Sequence, residues 1–342
     1  MTHDVLAVIW FGLWGLIWAL YFVLDGYSLG VGMLFPFLAS NEKEQRQLQE
    51  TIGPFWGANE VWLITAGGAT FAAFPKTYAL LFSSLYTPLF LILFALFFRA
   101  IGLEFMHKHH AEWWKKTWKW AFFTGSLLIA LLFGVAFGNL YKGLLIDQTG
   151  SHVTLLNLLN PYAVLGGITF VSLFALSGAI WVSLKTAGDI QRKAVKWIDY
   201  IWFVASLVTV LFLVATANQT KLYDKFGQYP LLWIVPLLCI AAILITRRFV
   251  AKAHYIWAFF TVSLSILTLA ATGFIGMFPY MILSKVDTAY SLSLFDAAGS
   301  ELNLKIMFFV AVIIVPIVIA YQIWVQRIFK EKITAEKAKG YH

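Results

Sequence analysis

The chain has 342 residues, 61% of them hydrophobic and only 12% charged, with a net charge of +8 and a mean hydropathy of +0.78. A soluble surface needs roughly twice that charged fraction, so the composition excludes a soluble globular protein and describes an integral membrane one. A single cysteine, Cys239, excludes an intrachain disulfide and a thiolate metal cluster.

Nine stretches reach the roughly 17–25 apolar residues that cross a bilayer: residues 6–38, 55–74, 78–98, 120–140, 161–183, 199–218, 231–246, 255–275 and 306–327. They predict an all-α membrane protein, one polytopic bundle over residues 1–342, with long connections only near 99–119, 141–160 and 276–305. The first stretch follows Met1-Thr2-His3-Asp4, with neither a basic leader nor a small-residue cleavage site, so it is expected to stay.

The first span carries Asp25 with Ser28, and its Gly26, Gly30 and Gly32 predict close helix packing. A carboxylate in hydrocarbon is costly unless neutral, paired or wet, and so marks an ion or proton path. Asp25 falls about 28 Å down that helix. The second span carries Asn59 and Glu60 about 9 Å from its start, followed by Gly67 and Gly68. Both acids are therefore expected in the same half of the membrane on antiparallel helices, Asp25 deeper and Glu60 nearer water. The alternative for each is a structural hydrogen bond.

At the end of the third span, Arg99 and Glu104 read as a solvated interfacial pair, which contributes little. Trp113, Trp114, Trp118 and Trp120 beside Lys115, Lys116 and Lys119 read as an aromatic anchor at the membrane surface. Pro88, Pro236 and Pro316 lie within predicted spans, where each removes a backbone donor. The seven histidines, His3, His107, His109, His110, His152, His254 and His342, all fall at termini, loops or span edges. Axial haem ligation needs paired His or His with Met at depth, so no haem and no metal are expected in this chain alone.

Of the 25 Lys and Arg, 19 fall in the loops after spans one, three, five and seven and in the C-terminal tail. That distribution places the N-terminus outside and the C-terminus in the cytoplasm. Basic loops facing anionic lipid account for the net charge without nucleic acid.

Several runs resemble subunit II of the cytochrome bd-type quinol oxidases. They are Asp25-Gly26-Tyr27-Ser28-Leu29-Gly30-Val31-Gly32-Met33, the stretch from Gly53-Pro54-Phe55-Trp56-Gly57-Ala58-Asn59-Glu60-Val61-Trp62 through Gly67-Gly68 to Phe74-Pro75, Phe98-Arg99 with Glu104-Phe105, Gly134-Val135-Ala136-Phe137-Gly138-Asn139, Leu159-Asn160-Pro161 and Gly276-Met277-Phe278-Pro279. The resemblance spans almost the whole chain. It implies a nine-helix subunit of a bacterial plasma-membrane terminal oxidase that reduces oxygen to water. Haem b and haem d, and the quinol-oxidising loop, are then expected in a haem-bearing subunit I. It also allows a small single-span third subunit. Subunit II is expected to stabilise that complex and to supply part of a cytoplasmic proton path, with Asp25, Ser28, Asn59 and Glu60 as candidates. Two positions depart from many relatives, which carry acids where this chain has Gly57 and Ser28. The competing readings are a proton-coupled secondary transporter, which places buried acids beside small-residue helices, and a purely structural scaffold.

Overall fold

A computed structural model describes residues 1–334. Its long helices are α1 (His3–Leu38), α2 (Glu42–Ile52), α3 (Trp56–Ala73), α4 (Pro75–Ser84), α5 (Tyr86–Phe105), α6 (Glu112–Lys142), α8 (Pro161–Lys185), α9 (Asp189–Gln219), α11 (Ile234–Ala251), α12 (Tyr255–Met277) and α14 (Glu301–Ile328). Short helices α7 (Leu155–Leu158), α10 (Asp224–Gln228) and α13 (Leu294–Ala297) lie in the connections. Side-chain caps set several starts. Asn41 accepts from Glu44 N for α2, Asn160 from Ala163 N for α8 with Pro161 in its first turn, and Ser300 from Asn303 N for α14.

Among the described residues, eight helices are long and apolar enough to cross a membrane, against the nine predicted. The difference is the second predicted span. It folds as α3, but Asn59, Glu60 and its glycines leave it outside the eight. The third predicted span is divided at Leu85 into α4 and α5. That division puts Pro88 in the first turn of α5, where its missing N–H is harmless, and Pro236 likewise falls in the first turn of α11. Only Pro316 of the three lies in a helix interior. Helices α6 and α9 begin about two turns before the apolar windows, because their amphipathic basic starts are good helix formers.

The core is where α1 meets α6 and α8. Glycines bring backbones into contact there: a Cβ on Gly30 would sit 1.9 Å from Phe174 O, and one on Gly134 2.5 Å from Gly166 O. Gly26 and Gly32 are similarly closed by Phe174 and Ser126, as the packing expectation required. Gly67 and Gly68 meet nothing within 4 Å, so they do not serve packing inside this chain. Aromatic rings of Phe22, Phe137 and Phe170 fill the seam, with edge-to-face centroids 4.9 Å apart.

At one end of the bundle, two small hairpins close the loops: Ile146–Asp147 with Gly150–Ser151, and Tyr280–Ile282 with Leu292–Ser293. The first residues of α1 and α14 lie at this end, where His3 Nε2 and Gly299 O are 3.1 Å apart and Asn303 Nδ2 donates to Ala72 O at 2.6 Å. At the other end, α2 packs on the end of α5 through Gln49 Nε2 and Leu103 O (3.0 Å). There the segment after α14 is fastened to the end of α8, with Ile333 N donating to Lys185 O at 2.8 Å.

Candidate functional site

Asp25 and Ser28 are one turn apart on α1 and face α5, which presents Arg99 between them and Glu60 of α3. Arg99 Nη2 donates to Asp25 Oδ1 at 2.8 Å and to Ser28 Oγ at 2.6 Å, and Nη1 lies 3.4 Å from Asp25 Oδ2. Ser28 Oγ donates in turn to Asp25 Oδ1 at 2.5 Å. Nη1 also donates to Glu60 Oε1. Asp25, Ser28 and Arg99 are fully buried, whereas the Glu60 side chain keeps 22% of its surface. Tyr21, one helical turn before Asp25, is buried on the same helix.

The arithmetic of charge defines what the group can do. Two carboxylates share one guanidinium inside an apolar bundle, and arginine does not lose its proton. With both acids ionised the group carries one uncompensated negative charge in a low-dielectric interior, where such charge is strongly disfavoured. A proton is the smallest cation that removes it. Asp25 is held by both guanidinium nitrogens and the Ser28 hydroxyl, while Glu60 is bound through one oxygen and reaches the surface.

Arg99 is therefore not the solvated interfacial residue its sequence position predicts. An arginine in the run Leu96-Phe97-Phe98-Arg99-Ala100-Ile101 must find carboxylates, and Asp25 and Glu60 are the acids in the interior of the predicted spans, Asp199 standing at the first residue of another. That matching of charges is the sequence signal that identifies the cluster. Glu104, half-buried near the end of α5, has an interaction partner too. Asn59, next to Glu60, points elsewhere: its Nδ2 donates to Tyr27 Oη at 3.0 Å. Trp62 is buried in the core, and Trp56 packs at its edge.

A second charged group lies outside the bundle. Glu42 on α2 accepts from Arg46 and Lys115, each at 2.9 Å, and these hydrogen bonds hold its carboxyl at about 2. His107 sits 3.7 Å from Glu42, and burial together with the nearby Arg46 pushes its imidazole down to about 4. His109 and His110 are not joined with it in a metal-binding cluster among the described residues.

The sequence profile of the family described as cytochrome bd terminal oxidase subunit II matches residues 6–329. The chain belongs to this family. It is 34% identical over 340 residues to the cytochrome bd ubiquinol oxidase subunit 2 of Bacillus subtilis, covering 99% of both chains. It is 33% identical over 364 residues to the cytochrome bd-I ubiquinol oxidase subunit 2 of Escherichia coli K12, covering 95% of this chain and 94% of that one. The bd oxidase structure from Geobacillus thermodenitrificans contains a chain with the same fold, with a TM-score of 0.77 at 17% identity over 95% of this chain and 98% of that one. As a cytochrome bd subunit II with many membrane-spanning helices, the protein is a multi-pass protein of the bacterial plasma membrane. Haem belongs to the bd oxidase complex, and the described histidines of this subunit do not fit it. They stand at helix ends and in loops rather than within the long apolar helices, where axial ligands would have to sit.

Proposed function

We propose that this subunit stabilises a haem-bearing subunit I and supplies part of the cytoplasmic proton-uptake route for quinol-driven oxygen reduction, with Glu60 as the exchanging group. The observation that carries this reading is the sharing of Arg99 by Asp25 and Glu60. Asp25, Ser28 and Arg99 form the anchored part. Glu60, part-exposed and singly bonded, accepts a proton from water and holds it in place of the missing second cation. Asn59 supports α3 from its other side through Tyr27 rather than carrying protons. The haems, in subunit I, supply the electron transfer and oxygen chemistry, and the residues here only deliver protons toward them.

In this reading α3 is a ninth crossing. Its 18 residues span about 27 Å, and its polar residues have partners within the bundle, Glu60 with Arg99 and Asn59 with Tyr27. Counting nine places the basic loops, α2 and the end of α14 in the cytoplasm, with the N-terminus outside.

The test is Glu60→Gln in the complete purified oxidase, with turnover measured across pH and haem content as the assembly control. The expected result is intact haem content and a fall in turnover of roughly tenfold, smaller than the loss of a positioned acid–base group in chemistry because water partly bypasses it. Wild-type turnover at every pH would remove the proton role and leave the scaffold reading.

A further inference from the structure

Helix α14 has none of its most apolar window buried within the chain, yet it is anchored at its foot. Lys185 Nζ donates to Phe329 O at 2.6 Å, and Gln47 Nε2 donates to Ile333 O at 2.7 Å. Above this clamp the helix meets α3 through Gln322 Nε2 and Ala58 O (3.4 Å), and beside that contact a cavity of about 550 Å³ lies between it and α1, α3, α8 and α12. Its inner wall is a set of rings, with Tyr27 and Trp181 4.2 Å apart and Phe259 5.1 Å from Trp181. Its rim toward the end of the bundle carries Lys185, Arg327 and Lys330, and no carboxylate among the described residues lines it. Arg327 and Lys330 are exposed and enter no ion pair among the described residues.

We propose that this cavity binds one anionic phospholipid. Its phosphodiester lies against Arg327 and Lys330, and one acyl chain enters along the aromatic wall toward Tyr27. Three features select that ligand. The exposed cations, with no acidic partner among the described residues, favour an anion. Their position at the helix end, where α8 and α14 both terminate, is headgroup depth, and long basic side chains there reach toward phosphate. The ring-lined interior excludes a free hydrophilic anion and accepts hydrocarbon. A lipid in this place fills the gap beside α14 and fixes that helix more firmly to the bundle next to Tyr27 and Asn59.

The complete oxidase, delipidated in a neutral detergent and titrated with short-chain phosphatidylglycerol, would be followed by native mass spectrometry and by its unfolding temperature. One tightly retained lipid and a raised unfolding temperature are expected for the wild type. Arg327→Gln/Lys330→Gln should weaken binding by roughly tenfold or more, given about 1 kcal/mol for each basic residue near an anionic headgroup. The control Lys43→Gln/Lys196→Gln, which changes exposed cations away from the cavity, should bind as wild type. Ile256→Trp, which occupies the cavity without changing charge, should abolish the retained lipid at unchanged haem content. Equal binding of phosphatidylcholine, full competition by inorganic phosphate, displacement by quinol alone, or wild-type binding by Arg327→Gln/Lys330→Gln would each overturn the proposal.

Discussion

A guanidinium held between two acids makes each acid's replacement a different experiment. Glu60→Gln leaves Asp25 and Arg99 as a balanced pair, and Asp25→Asn leaves Arg99 balanced by Glu60, which is then fixed as a counter-ion and stops exchanging. Either single change is therefore expected to slow turnover while haem content holds. Replacing both leaves a buried, uncompensated arginine, at about 3–5 kcal/mol. The double variant should lose assembled haem far beyond the sum of the singles, and the opposite-sign coupling of turnover and assembly is measurable in a mutant cycle. Additive losses in haem content would show that the acids do not share Arg99. Asp25 and Glu60 are legible as sites from sequence because acids are rare in apolar windows. Their joining through Arg99 is not, because hydropathy places an arginine near a window's end at the surface unless its charge is matched to distant acids.

At the scale of elements, glycine positions and charged connections decide which helices hold. Gly30 passes the backbone of α8 so closely that a methyl group would overlap the Phe174 carbonyl, 1.9 Å away, and both neighbours are backbone. Gly30→Ala is expected to destabilise the subunit by about 1–3 kcal/mol as overpacking, seen as a lower unfolding temperature; an unchanged temperature would mean α1 and α8 can part freely. The connection from α5 to α6 is held by Glu42, Arg46, Lys115 and His107. His107 is kept neutral by burial, with its proton affinity lowered to about 4, so the folded state binds fewer protons there than the unfolded chain. Its contribution is full above about pH 6.5 and falls as pH drops toward 4. Glu42, lowered to about 2, loses its contribution only below about pH 4.5. Acidification from pH 7 to 5 should therefore loosen this connection, read as lower amide protection factors over residues 106–112 once the intrinsic pH dependence of exchange is divided out, and His107→Phe should flatten that dependence. Retained pH dependence in the variant would assign it elsewhere. The glycines of α1 are legible in sequence as contacts, but in α3 Ala66 and Ala73 are buried while Gly67 and Gly68 meet nothing within 4 Å, because composition does not say which side of a stripe meets a partner.

For the whole molecule the question is whether α3 crosses. Apolar counting of the sequence gives nine spans, and among the described residues the helices that qualify by length and composition number eight, α3 being the difference. Hydropathy leaves α3 out because Asn59 and Glu60 count as if they faced lipid, whereas in the fold Asn59 bonds Tyr27 and Glu60 bonds Arg99. The packing places the start of α1 beside the start of α14 and the end of α14 beside α2, so the first and last described residues lie at opposite ends of the bundle. A crossing number that is odd follows only if α3 spans the bilayer with the rest. The measurement is labelling of single cysteines by a membrane-impermeant maleimide in intact cells. The background is Cys239→Ser, since Cys239 is buried and bonded to Ser265, and Thr2→Cys and Glu331→Cys are the reporters. Thr2→Cys should label in intact cells and Glu331→Cys only after permeabilisation. Labelling of both from the same side would remove α3 as a crossing and with it the cytoplasmic access of Glu60. Labelling with the sides exchanged would keep nine crossings and send the proton route to the outer face.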